Sequence, residues 1–304
     1  MKFPKRFVFL LGVASGTCWG TYGTFSRFLS GYGIDSNTIS MIVPMFYAIF
    51  FFILLCREGI GNIRVKKRLV PLLIAFGFLS AVFNYGTVMA YRDLPIGIVS
   101  TIVYCNLFLL MIFSRILFKT PLTKEKIIAA FVAVLGVGLV LNVFSTGFAF
   151  STVGLFWALV AMVFWALSVT LQKYLLEAGV NANAVMVYNG IFAVAFLCLR
   201  QSPLATVSNV AEVIVASGGE VLLPLVGFAF ITSMLAYFFY INGLARMETA
   251  YVQLGFVMDP LTSALLGFLV FGQRLAPLQL CGIFLVVFVV AWVQWLEIRK
   301  TKRE

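Results

Sequence analysis

Ten stretches of this chain are apolar and long enough to cross a membrane. They cover approximately 7–28, 37–56, 70–91, 95–117, 127–144, 152–174, 182–199, 220–243, 249–271 and 276–296. About 17 to 25 apolar residues suffice to span the roughly 30 Å of hydrocarbon in a bilayer as a helix. Hydrocarbon offers no water to a bare peptide group, so each span must satisfy its own backbone, which a helix does. Composition agrees: 62% of residues are hydrophobic and 11% charged, against about a quarter charged in a soluble domain. The expected fold is an all-α polytopic membrane protein with ten transmembrane helices.

Lys and Arg set the orientation, because short positively charged loops stay on the cytoplasmic side. With the N terminus inside, 18 basic residues fall in cytoplasmic segments and 4 outside, namely Arg27, Arg92, Arg200 and Arg274. Both termini are therefore expected in the cytoplasm. The net charge of +11 follows from this topology and gives no reason to invoke a nucleic acid. The first span follows a basic N terminus, but it is too long for a signal core and lacks a small-x-small cleavage site, so it is read as retained. The five cysteines sit in or at the ends of different spans without C-x-x-C spacing, and the sequence has no histidine. Neither a disulfide frame nor a metal site is expected.

The second half repeats the first. "TCWGTYGTFSRFLSGYGIDSNTI" from Thr17 falls on "VFWALSVTLQKYLLEAGVNANAV" from Val163 at a constant offset of 146. Later, "NLFLLMIFSRILFKTPL" (106–122) falls on "DPLTSALLGFLVFGQRL" (259–275) at an offset of 153, so that Asn106 meets Asp259. The extra residues fit a loop near "SPLATVSNVAEVIVASGG". The expected domains are a first five-helix repeat, 1–147, and a second, 148–304. An odd number of spans per repeat makes the second enter the membrane in the opposite sense. Such inverted-topology repeats are the recurrent architecture of secondary transporters, with the solute site near the midplane.

The residues that carry this pattern are "WGTYGTFSR" (19–27) with "WALSVTLQK" (165–173), and "YGTVMAYRDLPIGIVSTI" (85–102) with "YINGLARMETAYVQL" (240–254), followed by the proline-containing "DPLTSALLGFLVFGQRL". On these the chain resembles the drug/metabolite transporter superfamily, specifically its bacterial ten-helix EamA-type members. The resemblance implies a transporter of small organic solutes such as amino acids, usually an exporter, without an ATP-binding module. The chain has no G-x-x-x-x-G-K-[ST] loop to cradle phosphates, and no cofactor is expected. It departs from the family where a glutamate often follows the fourth and ninth spans, since Thr120 and Gln273 stand there. Pro44 replaces an arginine common early in the second span. Roles the family gives those charges do not carry over.

Within span 1, Trp19, Tyr22, Gly23, Ser26 and Arg27 recur at helical spacing, as do their mates Trp165, Ser168, Val169, Gln172 and Lys173 in span 6. Such a stripe faces protein or water rather than lipid. It either lines a central cavity or hydrogen-bonds between packed helices. Arg27 and Lys173, near opposite surfaces, are either snorkelling cations or charges at the two mouths. Other polar residues at membrane depth are Asn84, Tyr85, Tyr104, Asn106, Tyr188, Asn189, Ser233, Tyr237, Tyr240 and Gln253. A cavity built from these is aromatic and mostly neutral, suited to amphipathic solutes; tyrosines near span ends also serve as interfacial belts. Gly12, Gly16 and Gly20 form a small-residue ladder on which a neighbouring helix can pack closely.

Asp259 and Pro260 raise a separate question, since an aspartate at the bilayer centre costs about 2.5 to 3.5 kcal/mol on insertion scales. Asp followed by Pro is a helix start, so one reading is a break in span 9 with Asp259 capping the second half-helix. The other is that Asp259 binds a substrate ammonium or a coupling proton. The sequence thus points to a secondary transporter working by alternating access, either proton-coupled or an uncoupled facilitator. A receptor or scaffold without transport fits less well with such short connections, and an enzyme lacks a cluster of catalytic groups. The partners implied are a small-molecule solute and the lipid bilayer, with the protein a monomer or homodimer.

Overall fold

The computed structural model describes residues 8–94, 96–120, 122–141, 143, 151–272 and 276–301. The basic residues Lys2, Lys5, Arg6, Arg274, Lys302 and Arg303, together with Gln273, lie outside them. Among the described residues all regular structure is helical. In chain order the helices are α1 (Phe9–Trp19), α2 (Tyr22–Gly31), α3 (Ser36–Glu58), α4 (Val70–Asp93), α5 (Ile96–Tyr104), α6 (Asn106–Phe118), α7 (Lys124–Val140) and α8 (Thr152–Glu177). There follow α9 (Ala182–Leu197), α10 (Pro203–Ala216), α11 (Leu222–Gly227), α12 (Ala236–Leu244), α13 (Thr249–Phe256), α14 (Met258–Phe271) and α15 (Pro277–Thr301). A π-helical stretch, Phe228–Leu235, joins α11 to α12.

Five helical segments are long and apolar enough to cross a membrane unaided: Asn37–Glu58, Lys67–Thr87, Thr152–Glu177, Leu222–Leu244 and Tyr251–Phe271. Large apolar side chains on outer faces are bare, as with Leu223 at 83% and Leu269 at 72% exposure. An exterior of this kind needs lipid to cover it. Two expectations change. Residues 203–216, read as loop, form α10, because Ser202 caps the helix through its Oγ at 3.1 Å from the Ala205 amide and Pro203 takes the first position. The first span is not one helix. At Gly20 and Thr21 the amide of Thr21 steps back to the Cys18 carbonyl, which the Thr21 hydroxyl also bonds at 2.6 Å, and the ladder tightens into a break.

Comparable breaks divide α5 from α6 at Cys105 and α13 from α14 at Val257. Other local devices recur at the sequence offsets. The Ile34 amide bonds Leu29 O, and the Val180 amide bonds Leu175 O. Gly33 and Gly179 between them take positive φ of 101° and 84°. Asp35 and Asn181 then cap α3 and α9 through side-chain oxygens. Near the other pair, Lys119 (φ 53°) and Gly272 (φ 63°) end α6 and α14 in left-handed conformation.

The glycine ladder packs α1 backbone to backbone on α13 and α14. A Cβ at Gly12 would lie 2.7 Å from Val252 O, at Gly16 2.8 Å from Phe256 O, and at Gly20 2.5 Å from Asp259 O. Gly255 returns the contact at 2.8 Å from the Gly12 carbonyl carbon. Gly16→Val must push two backbones apart, at a cost of about 1 to 3 kcal/mol. A lowered melting temperature in detergent checks this; an unchanged one would show that α1 can move away freely.

Candidate functional site

Trp19 closes α1, and its ring meets three others from the far half of the chain. Tyr237 lies at 4.8 Å edge-on, Tyr240 at 5.3 Å, and Phe256 at 4.7 Å edge-on. Tyr47 of α3 packs on Tyr237 at 4.5 Å, while Trp165 of α8 stacks on Tyr240 at 6.3 Å and meets Phe83 of α4 at 4.6 Å, tilted by 34°. The break after Trp19 ends the helix where its ring enters this cluster. Such offset and edge-to-face pairs present ring edges and faces to whatever lies between them.

A buried polar chain runs from one side. Tyr47 Oη donates to Asn189 Oδ1 at 2.6 Å, Asn189 Nδ2 donates to Ser80 Oγ at 2.9 Å, and Ser80 lies 3.1 Å from Ser168 Oγ. Gly190 makes room for it, since a Cβ there would lie 2.5 Å from Ala48 Cβ and 3.0 Å from the Tyr47 ring. Gln253 Nε2 donates to Tyr240 Oη at 3.1 Å, both side chains being buried. On the other side Tyr104 Oη donates to Asp259 Oδ2 at 3.0 Å, and its ring lies 5.9 Å from Phe256. Trp19, Tyr47, Tyr104, Trp165, Asn189, Tyr237, Tyr240, Gln253 and Asp259 thus belong to one linked set.

Asp259 is not the cap expected of it. Val257 occupies the cap position of α14 without a side-chain bond, and Asp259 sits inside the first turn with its carboxylate on Tyr104. Pro260 follows at a first-turn position, where an amide has no intrahelical partner to lose. Asn106 is likewise the first residue of α6 and not its cap. It points back, Nδ2 donating to Val103 O at 2.6 Å, while its buried Oδ1 has no partner. The helix break itself satisfies the Asp-Pro signal; the side chain is diverted because Tyr104 offers a donor from the neighbouring half-helix.

The remaining predicted residues lie elsewhere. Tyr22 starts α2, is 38% exposed and touches Phe228 at 5.4 Å, so the break splits the single stripe expected of span 1. Tyr188 turns away to donate to Ile63 O at 3.0 Å. Ser233 is buried on the π-helical stretch and directed at Phe228 O of the same stretch, at 3.5 Å. Asn84 and Tyr85 line a separate recess. Arg27 lies over the Phe271 ring at 4.4 Å. Lys173 is no open mouth charge: its ammonium donates to Leu244 O at 2.8 Å and Met247 O at 3.0 Å, with Glu177 at 3.6 Å.

Sequence reading missed Tyr47, Ser80 and Phe256. Tyr47 and Ser80 are polar groups inside apolar spans and carried the same signal as Asn189. Phe256 carried none, because a phenylalanine in a membrane span is unremarked. It also missed a buried ion pair in which Lys126 Nζ donates to both Glu248 oxygens at 2.7 Å. In the sequence Lys126 is one of the 18 basic residues of the cytoplasmic segments, with nothing to mark a partner.

A helical, lipid-covered chain whose aromatic and hydrogen-bonding groups converge where its helices break has the organisation of a membrane transporter. The comparison with known families makes this particular: the chain belongs to the EamA-like transporter family, within the drug/metabolite transporter superfamily, whose pattern it matches over residues 6–142 and again over 152–295. It is 24% identical over 301 residues to the uncharacterized transporter YyaM of Bacillus subtilis (strain 168), covering 94% of this chain and 92% of that one. A solved crystal structure, 17% identical, shares the fold with a TM-score of 0.76 over 96% of this chain and 98% of the other.

Proposed function

We propose that the protein is a secondary transporter that exports small organic metabolites such as amino acids by alternating access across the bacterial cytoplasmic membrane. In this reading it has ten spans in two inverted five-helix repeats, 1–147 and 148–304, with both termini cytoplasmic. The observation that carries it is the meeting of Trp19 with Tyr237, Tyr240 and Phe256 beside two helix breaks, with Asp259 held by Tyr104 across two broken helices. Broken helices at an interface between repeats are where transporters build their solute sites. The recurrence of the Gly33 turn at Gly179, and of the Asp35 cap at Asn181, supports the doubling.

The aromatic set holds an amphipathic solute by ring contacts, and the Tyr47–Asn189–Ser80 chain supplies fixed hydrogen-bonding groups beside it. Removing one ring of the pair should therefore abolish transport with little loss of protein. In proteoliposomes loaded with a panel of labelled amino acids, Trp19→Ala and Tyr237→Ala are each expected to lower flux at least tenfold, a loss of about 1.4 kcal/mol in transition-state or solute binding. Normal flux in both, with normal expression, would remove the aromatic set from the transport path.

A further inference from the structure

Away from the aromatic set, a small recess of about 30 Å³ is walled by the start of α3 (Asn37, Ser40), the middle of α4 (Asn84, Tyr85) and the turn between α9 and α10 (Arg200, Gln201). It lies at the end of the bundle where α3 begins and α9 ends. The opposite end, where α3 ends, is tied shut by Lys126 on Glu248, by Lys173 on the carbonyls of Leu244 and Met247, and by Asn181 on Glu58. The recess thus lies at the end of the bundle opposite these polar ties.

Its chemistry is one-sided. Among the described residues of its wall Arg200 is the one ionised group, and its guanidinium sits over the Tyr85 ring at 5.1 Å. Among the described residues no carboxylate pairs with Arg200. Asp35, two residues before Asn37 of the wall, is committed elsewhere, accepting from the amides of Asn37 and Thr38 and from the Thr38 hydroxyl. Partial burial alone would raise its pKa, but those bonds hold it below the ordinary carboxylate range. The rim is also fixed, because Gln201 Nε2 donates to Thr38 and Thr206 at 2.8 and 3.0 Å, which anchors the turn that carries Arg200. A guanidinium placed over a ring face can still turn its N–H donors to a planar bidentate acceptor. Asn84 follows Phe83, whose ring meets Trp165 of the aromatic set at 4.6 Å and a 34° tilt, and one Asn84 amide hydrogen is given to Ser80 O at 2.8 Å.

We infer that Arg200, with the carboxamides of Asn37 and Asn84 around it, is an anion-recognising subsite that selects solutes bearing a carboxylate. This rests on the transport reading above. The alternative source of the same chemistry is a lipid phosphate lying against an exposed arginine, and the test separates the two.

Proteoliposomes of a zwitterionic lipid, with and without added anionic lipid, are loaded with labelled phenylalanine, leucine or benzoate, or with the amide of each. The wild-type protein should prefer the acid over its amide, and that preference should collapse about tenfold in Arg200→Gln through KM rather than kcat. Arg200→Lys should restore part of it, since charge returns without the planar fork. Equal handling of acid and amide by the wild type overturns the inference while leaving transport standing. So does an Arg200→Gln defect that falls on both alike, or one that appears only with anionic lipid. Flux of neither form removes the transport reading and this subsite with it.

Discussion

Asp259→Asn is expected to lose solute accumulation driven by a pH gradient while keeping downhill flux. The substitution is nearly isosteric, and an asparagine oxygen still accepts the Tyr104 hydroxyl that now lies 3.0 Å from Asp259 Oδ2. What disappears is the ability to carry a proton. The position is tightly packed at the backbone, with the Asp259 carbonyl 2.5 Å from where a Cβ on Gly20 would stand. A change in protonation therefore occurs beside the α1–α2 break and the α13–α14 break at once. A carboxylate in a span costs about 2.5 to 3.5 kcal/mol on insertion scales, so the neutral variant should also be no less stable than the parent. Accumulation that is lost with stability retained makes Asp259 the coupling group. Equal flux in both forms with no response to the gradient makes the protein a facilitator, and Asp259 a partner for Tyr104 only.

How much of this was legible beforehand depends on what each signal requires. Span positions follow from run length, because it is local; the Ser202–Pro203 helix start is equally local, but reading 203–216 as loop leaves it unused. The Gly12–Gly16–Gly20 ladder could be read as a contact face because only close backbones require it. The stripe in span 1 could not be followed past Gly20, since the break there depends on where Trp19 finds its partners 200 residues later. Asp259 shows the same limit. Its dipeptide marks a break, yet the choice between capping its own helix and bonding Tyr104 is made by a neighbouring half-helix. Tyr188 looked identical to Tyr237 in sequence, and only packing separates a tyrosine that bonds a loop carbonyl from one that joins the aromatic set.

The ion pair between Lys126 and Glu248 carries the largest stability prediction. Lys126 is only 4% exposed and Glu248 18%, so neither charge is well solvated. The placement is favourable for one partner and not the other. Glu248 stands at the cap position of α13, where negative charge meets the positive helix end, while Lys126 lies in the first turn of α7, where a cation is opposed. The pair and the Tyr251 ring, 5.3 Å from the ammonium, hold Lys126 there. Lys126→Met leaves a half-buried carboxylate without its cation and should cost about 3 to 5 kcal/mol, read as a lowered midpoint of unfolding in mixed detergent. Replacing both, as Lys126→Met with Glu248→Met, removes the stranded charge and should recover most of that loss. A single variant as stable as the parent would mean that water already reaches the pair. If both variants are stable but the double one transports faster than the parent, the pair instead sets the rate at which this end of the bundle opens. Under the proposed alternating access, a bond between residues 126 and 248 would part as the two halves exchange conformations.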